Sequence, residues 1–171
     1  MKSYMITAAV LATGCATVPA TEVPISALFN KSDVAWFNGT GAGTLAGSAF
    51  LRTKGGTVKT CAGYDVQLLP YSAYAAERIR FIYGSETSGN FFGPRRAWAF
   101  KPDEPEFYKA LKKAVCDANG EFEFDNLPNG DYFVIAKVTW DIGNVFDEGG
   151  TMMEKVAIAN GATEKVTLTA N

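Results

Sequence analysis

The chain has 171 residues, 47% of them apolar and 20% charged, enough for one domain with a proper core and too few for two. Seventeen glycines with 13% aromatics favour a turn-rich β protein over a helical one. A formal net charge of -2 excludes the cationic footprint of a nucleic-acid binder, and the lack of any histidine excludes Ser-His-Asp and Cys-His catalysis.

Met1-Lys2 ahead of the apolar run Met5 to Leu11 reads as the charged start and short apolar centre of an export signal, too short to span a bilayer as a permanent helix. The run ends in Leu11-Ala12-Thr13-Gly14-Cys15, which resembles a bacterial lipobox with Ala12 where Leu is commonest. We therefore expect a signal peptide over residues 1–14, lipid on Cys15, and a lipidated N-terminus and tether over residues 15–35. An ordinary cleaved signal is the alternative. Each buried acyl methylene contributes about 0.8 kcal/mol, so several chains hold a protein on a membrane without a spanning helix. Ala16 is not acidic, which favours the outer membrane, facing the periplasm. From Ala16 to about Lys31 there is Thr, Pro, Ala and Ser without periodicity, which suits a tether. Loss of Lys2 with the signal leaves 15 basic against 18 acidic residues.

The expected domain occupies residues 36–171. Trp36-Phe37 precede Asn38-Gly39-Thr40-Gly41-Ala42-Gly43, which lacks the Lys-Ser/Thr of a phosphate loop and reads as a flexible entry to a first strand, Thr44 to Arg52. Lys54-Gly55-Gly56-Thr57 is a turn. A strand follows over Asp65 to Leu69, with Val66 and Leu68 facing one way.

Pro70 to Ala114 is a long connection rich in aromatics and arginine, a composition enriched in binding surfaces. Candidate ligand contacts are Trp36, Tyr71, Arg78, Arg95, Arg96 and Trp98, whose rings and guanidinium groups suit stacking on sugars or holding anionic glycans. The plainer reading packs the aromatics onto the sandwich and leaves the arginines solvated. Ser72 to Ile79 is expected as a short helix. Lys101 to Leu111, acidic early and basic late, is expected as a second.

Cys116 to Trp140 carries the strongest pattern. In Glu121-Phe122-Glu123-Phe124-Asp125 a pleated strand puts both rings on one face and the carboxylates on the other. Asp117-Ala118-Asn119-Gly120 and Leu127-Pro128-Asn129-Gly130 are turns on either side. From Tyr132 to Trp140, Tyr132, Val134, Ala136, Val138 and Trp140 share one face, with Phe133, Ile135, Lys137 and Thr139 on the other, as in a central strand. This succession of an Asn-Gly turn, an alternating Phe strand, Leu-Pro-x-Gly-Asp-Tyr and a long apolar strand resembles the carboxypeptidase regulatory-like domain. The resemblance implies an all-β fold: a single transthyretin-like or Ig-like β-sandwich of about seven strands, with a short helix or two in the central connection. It also implies a corner role for Tyr132, beside the simpler reading of a core tyrosine. It implies no activity: hydroxyisourate hydrolase, the enzyme best known on that fold, relies on histidines and a C-terminal Tyr-Arg-Gly-Ser motif, and this chain ends Leu168-Thr169-Ala170-Asn171.

In an oxidising envelope Cys61 and Cys116, left over once Cys15 is lipidated, are most simply paired with each other. Closing that loop stabilises by roughly 4 kcal/mol in the entropic account. Asp141, Asn144, Asp147 and Glu148 form an acidic loop without the EF-hand order, read as solvation in preference to calcium. Thr151 to Ile158 and Glu164 to Leu168 then follow as strands joined at Ala159-Asn160-Gly161-Ala162, a hairpin signal.

These residues point first to a non-enzymatic cell-envelope lipoprotein whose sandwich docks a protein partner or serves as a structural module. The alternative is a module binding a carbohydrate or small ligand through the aromatic and arginine residues of 71–100. The expected partners are the membrane, through the lipid on Cys15, and an envelope protein or glycan. No metal or cofactor is expected, and no nucleic acid.

Overall fold

Alternating apolar and polar residues, cut by glycine-containing turns, give eleven strands among the described residues, which in this computed structural model are 20–92, 98–143 and 147–170. They are β1 (Thr21–Pro24), β2 (Gly43–Arg52), β3 (Val58–Thr60), β4 (Asp65–Pro70), β5 (Ser88–Phe92), β6 (Trp98–Lys101), β7 (Lys112–Val115), β8 (Glu121–Leu127), β9 (Gly130–Trp140), β10 (Glu148–Ile158) and β11 (Thr163–Leu168). Two α-helices, α1 (Ala73–Tyr83) and α2 (Pro105–Lys109), and a 3-10 helix over Lys31–Asn38 complete them. Cys15, Arg95, Arg96 and Asn144 lie outside the described residues.

The fold is an all-β sandwich. Its larger sheet runs β5-β10-β9-β4-β7, antiparallel throughout. In the smaller sheet β2 is central, with β11 parallel along one side and β8 then β3 antiparallel along the other. The face of β9 that carries Tyr132, Val134, Ala136 and Val138, with Val66 and Leu68 of β4 and Met152 of β10, meets Leu45 of β2, Phe122 and Phe124 of β8 and Leu168 of β11. The alternation read from the sequence thus becomes the inter-sheet core, at about 1.5–3 kcal/mol for each large side chain buried. Cys61, just after β3, and Cys116, just after β7, form a disulfide with their Cα atoms 5.7 Å apart, which joins the two sheets at one edge.

Tyr132 is a corner residue. Its hydroxyl donates to the carbonyl of Pro128, and the rings of Trp36 and Phe37 pack against it at 5.2 and 5.8 Å. Burial holds its phenol neutral, pushing its pKa up to about 12.

A third layer lies on the outer face of the larger sheet. Leu69, Phe133 and Met153 receive Tyr74, Ala75, Ala76 and Ile79 of α1, along with Val23 of β1, Phe100 of β6 and Phe107 of α2. Ser72 starts α1 by accepting the Ala75 N–H on its hydroxyl at 3.1 Å. Gly84 ends it in the left-handed conformation, at φ 76°, donating to the Arg80 carbonyl. The helix reaches Tyr83, four residues past its expected end. The second helix is shorter than expected, five residues in place of eleven.

Three expectations are corrected by packing. The described part of the expected tether is not free chain: β1 pairs in parallel with β6, and Val23, Ile25 and Val34 are buried. Its period-2 signal is too short to stand out, since β1 has four residues. The glycine run before β2 is a tight fit, not a flexible entry. A Cβ on Gly41 would come within 2.1 Å of the Leu127 carbonyl oxygen, and one on Gly43 within 2.3 Å of Ile158. The turn at Asn160-Gly161 has the expected positive φ at both residues, but β11 leaves β10 and crosses to pair with β2. A hairpin would have put Val166 and Leu168 at the rim of the larger sheet, whereas the crossover buries them between the sheets.

Candidate functional site

An eleven-residue helix is about 16 Å long, whereas an eleven-residue strand is about 36 Å. α1 therefore covers only part of the outer face of β9, over Phe133 and its neighbours. Past the helix end the same face carries Lys137 and Thr139 of β9, Asp65 and Gln67 of β4 and Thr151 of β10, with Thr151 directly opposite Lys137. The result is a cleft of about 540 Å³ whose lining includes Tyr64, Asp65, Gln67, Tyr83, Lys137 and Thr151.

The walls are fixed and aromatic. The Tyr64 hydroxyl sits 3.2 Å from the Thr139 carbonyl and 2.9 Å from its hydroxyl. Tyr83 donates to the Thr151 hydroxyl at 3.1 Å, and burial pushes its pKa up to about 12, so it stays a neutral donor. The floor is polar. Lys137 lies 5.0 Å over the Tyr64 ring and has no ion-pair partner among the described residues. Asp65 is already matched by Lys113 at 2.9 Å. Tyrosine rings beside an amide and an ammonium without an ion-pair partner offer apolar contact to a sugar together with groups that bond its hydroxyls or an acidic substituent.

The residues singled out from the sequence are not brought together. Trp36 packs on Tyr132 at one end of the inter-sheet core and donates its indole N–H to the Asp33 carbonyl at 2.9 Å. Tyr71 packs at a tilt against Phe133, 5.6 Å away, beneath Lys155. Trp98 packs between Phe81 and Phe91.

Arg78 is buried, 7% exposed, against the expectation of solvated arginines. Its guanidinium lies 4.2 Å over Phe100 and 4.8 Å over Phe107 and donates to the hydroxyls of Tyr74 and Tyr108 at 2.9 and 2.7 Å and to Asp103 at 3.2 Å. With three of its five N–H donors bonded to protein and its side chain buried among rings, Arg78 anchors α1 and is not presented to a ligand. Tyr64, Gln67, Tyr83, Lys137 and Thr151 were not singled out. The alternation of β9 already placed Lys137 on the face shared with Phe133 and Ile135; the missing signal was where the helix above that face stops.

A second depression, of about 590 Å³, lies on the outward face of the smaller sheet, over Ala46, Ser48, Glu121, Glu123, Lys165 and Thr167. Its one ring, Phe122, belongs to the inter-sheet core, so it offers no stacking surface. Among the described residues no three His, Cys, Asp or Glu side chains are grouped as metal ligands, and no helix is long and apolar enough to cross a membrane.

The chain matches no protein-family profile and no curated protein. Among solved structures it is similar to a Pseudomonas aeruginosa protein described as a "putative carbohydrate binding protein", with 26% identity and a TM-score of 0.66 over 83% of this chain and 97% of that one. It also has a likeness to the pilus 2b backbone protein of group B streptococcus, at 13% identity and a TM-score of 0.34 over 75% of this chain and 41% of that one, too slight to carry an argument.

Proposed function

We propose that the protein is a non-enzymatic, lipid-anchored module of the bacterial cell envelope that binds a carbohydrate in the cleft beyond α1. The observation that carries the reading is the cleft itself, where the rings of Tyr64 and Tyr83 face Gln67 and Lys137 on a preformed floor. Similarity to a protein described as carbohydrate binding supports it over docking of a protein partner. The unmatched ammonium of Lys137 favours a sugar bearing a carboxylate or phosphate. A non-enzymatic role is supported by the lack of histidine and by a cleft whose single carboxylate, Asp65, is held by Lys113. The corner at Tyr132 and the Phe122–Phe124 strand support placing the sandwich with carboxypeptidase regulatory-like, transthyretin-like domains. Anchoring through Cys15, in an outer membrane and facing the periplasm, rests on the lipobox-like Leu11–Cys15.

The test is a glycan array probed with residues 16–171, followed by titration of the strongest uronic-acid or phosphorylated oligosaccharide. Binding that drops roughly tenfold in both Tyr64→Ala and Lys137→Ala supports the cleft. Binding indifferent to both changes, or none across the array, removes it. Intact mass of protein extracted from membranes reads the anchor separately: a chain starting at acylated Cys15 supports it, and an unacylated mass removes it.

A further inference from the structure

The cleft beyond α1 has two chemically unlike ends, and the register of its floor separates them. Lys137 and Thr151 lie in one row across β9 and β10, while Gln67 of β4 lies opposite Ile135 of β9, two residues back along the strand. Those rows are about 7 Å apart. The Lys137 ammonium sits over the Tyr64 ring, and that ring reaches onward to Thr139 through its hydroxyl. The cation therefore leans away from Ile135.

The other end is apolar. Ile82, in the last turn of α1, and Ile135 are half-buried at the margin of the layer beneath the helix and line the cleft there. Beside them stands the Gln67 amide. Among the described residues the side-chain hydrogen bonds around the cleft join Tyr64 to Thr139, Tyr83 to Thr151 and Asp65 to Lys113, and none uses that amide.

A plain uronic acid or a sugar phosphate would satisfy Lys137 and set hydroxyls against two isoleucines, which cannot bond them. A sugar whose acid lies a few bonds from an acetamido group fills both ends. Its methyl group packs on Ile82 and Ile135. Its N–H or its carbonyl bonds Gln67, whose amide both accepts and donates. Its carboxylate meets Lys137.

We infer that the cleft selects an N-acetylated hexosamine bearing a carboxylate, with Gln67, Ile82 and Ile135 reading the acetamido group and Lys137 the acid. This rests on the carbohydrate-binding reading of the cleft and narrows it from acidic sugars in general.

The experiment is an NMR titration of residues 16–171 with the methyl glycosides of glucuronic acid and of N-acetylglucosaminuronic acid, which differ only at the acetamido group. One buried methyl group and one hydrogen bond are expected to favour the acetamido sugar roughly tenfold. In Gln67→Ala and in Ile82→Ser that ratio is expected to fall to about twofold or less. Equal affinity of the unaltered protein for the two uronates overturns the inference and leaves the cleft as a site for acidic sugars. A tenfold ratio that survives both substitutions also overturns it, since the acetamido group would then be read elsewhere. Detection of neither uronate, with a blank glycan array, removes the cleft reading and this one with it. Should the variants misfold, saturation-transfer NMR on the unaltered protein decides. The acetamido methyl protons are expected to take up roughly twice the saturation of the ring protons; equal or weaker uptake overturns the inference. N-acetylmuramic acid, titrated alongside, separates a cell-wall glycan from an N-acetylated polyuronate: the tighter of the two acids names the source, and tenfold selection of either over glucuronate supports the class.

Discussion

The core between the sheets and the core beneath α1 are held by different means. Between the sheets, aliphatic side chains from seven strands interdigitate with a few rings, and the Cys61–Cys116 bond crosses their edge. Beneath α1 the filling is largely aromatic, and the layer is pinned by polar groups. Arg78 holds Tyr74, Tyr108 and Asp103, while the Glu77 carboxylate accepts the N–H groups of Ser26 at 3.0 Å and Ala27 at 2.8 Å, so that the chain after β1 is tied to the helix. The inner core depends on area and a covalent link, neither of which responds to mild acid. The outer layer depends on ionised groups, so it is the part that a change of pH can loosen while the sandwich stays closed.

The largest expected effect breaks the inner side of this contrast. Cys61→Ala with Cys116→Ala, which opens a loop of 55 residues, is expected to cost about 4 kcal/mol in urea unfolding. If both cores melt together at the lower midpoint they are one cooperative unit; a biphasic curve makes them two. Arg78→Met removes three hydrogen bonds from a buried site and is expected to cost about 3 kcal/mol, with hydrogen exchange rising in α1 before it rises in β9. A loss below about 0.5 kcal/mol would show that the rings hold the layer without the cation. Gly43→Ala drives a methyl group into Ile158 and the Leu127 carbonyl and is expected to cost about 2 kcal/mol, read as a lower melting temperature. An unchanged melting temperature would mean that the inner core gives more easily than its packing implies.

The smallest effect sharpens the outer side. Hydrogen bonds from the Ser26 and Ala27 backbone, then the Ser26 hydroxyl, lower the pKa of Glu77. Its contribution is therefore complete above the unfolded carboxyl value and is lost as pH falls through the lower folded value. Exchange at Ser26 and in β1 should accelerate below about pH 4 while the strands of the inter-sheet core hold. Glu77→Gln should give fast exchange at every pH; a variant that kept the acid-dependent step would assign it to another group.

The inner core was legible in the sequence because strand periodicity is local. Phe122 and Phe124, and the five residues from Tyr132 to Trp140, declare their shared face without reference to any partner. The outer layer was not, because its parts gain meaning only from each other. Thr21–Pro24 is too short to show a period and becomes a strand only against Trp98–Lys101, and Arg78 reads as a surface cation until Phe100, Phe107 and Tyr108 close over it. The candidate cleft shares this difficulty. Lys137 was placed on the face shared with Phe133 and Ile135, but that this face stays open past the helix depends on Gly84, which stops the helix above it. The end of the chain shows the limit of turn chemistry: Asn160-Gly161 fixes two backbone angles and leaves the destination of β11 to the burial of Val166 and Leu168.

The placement of β2 has a consequence in time. Its neighbours come from Val58–Thr60, from Glu121–Leu127 and from Thr163–Leu168, the last about 120 residues away along the chain. Local turns assemble β9 with β10 early, but the strand at the centre of the smaller sheet waits for contacts whose loop-closure entropy is the largest in the molecule. Refolding should accordingly be slow for the protein's size, in the millisecond-to-second range set by non-local pairing. Until β11 arrives, one side of β2 is a bare hydrogen-bonding edge, the place at which a second unfolded chain would add.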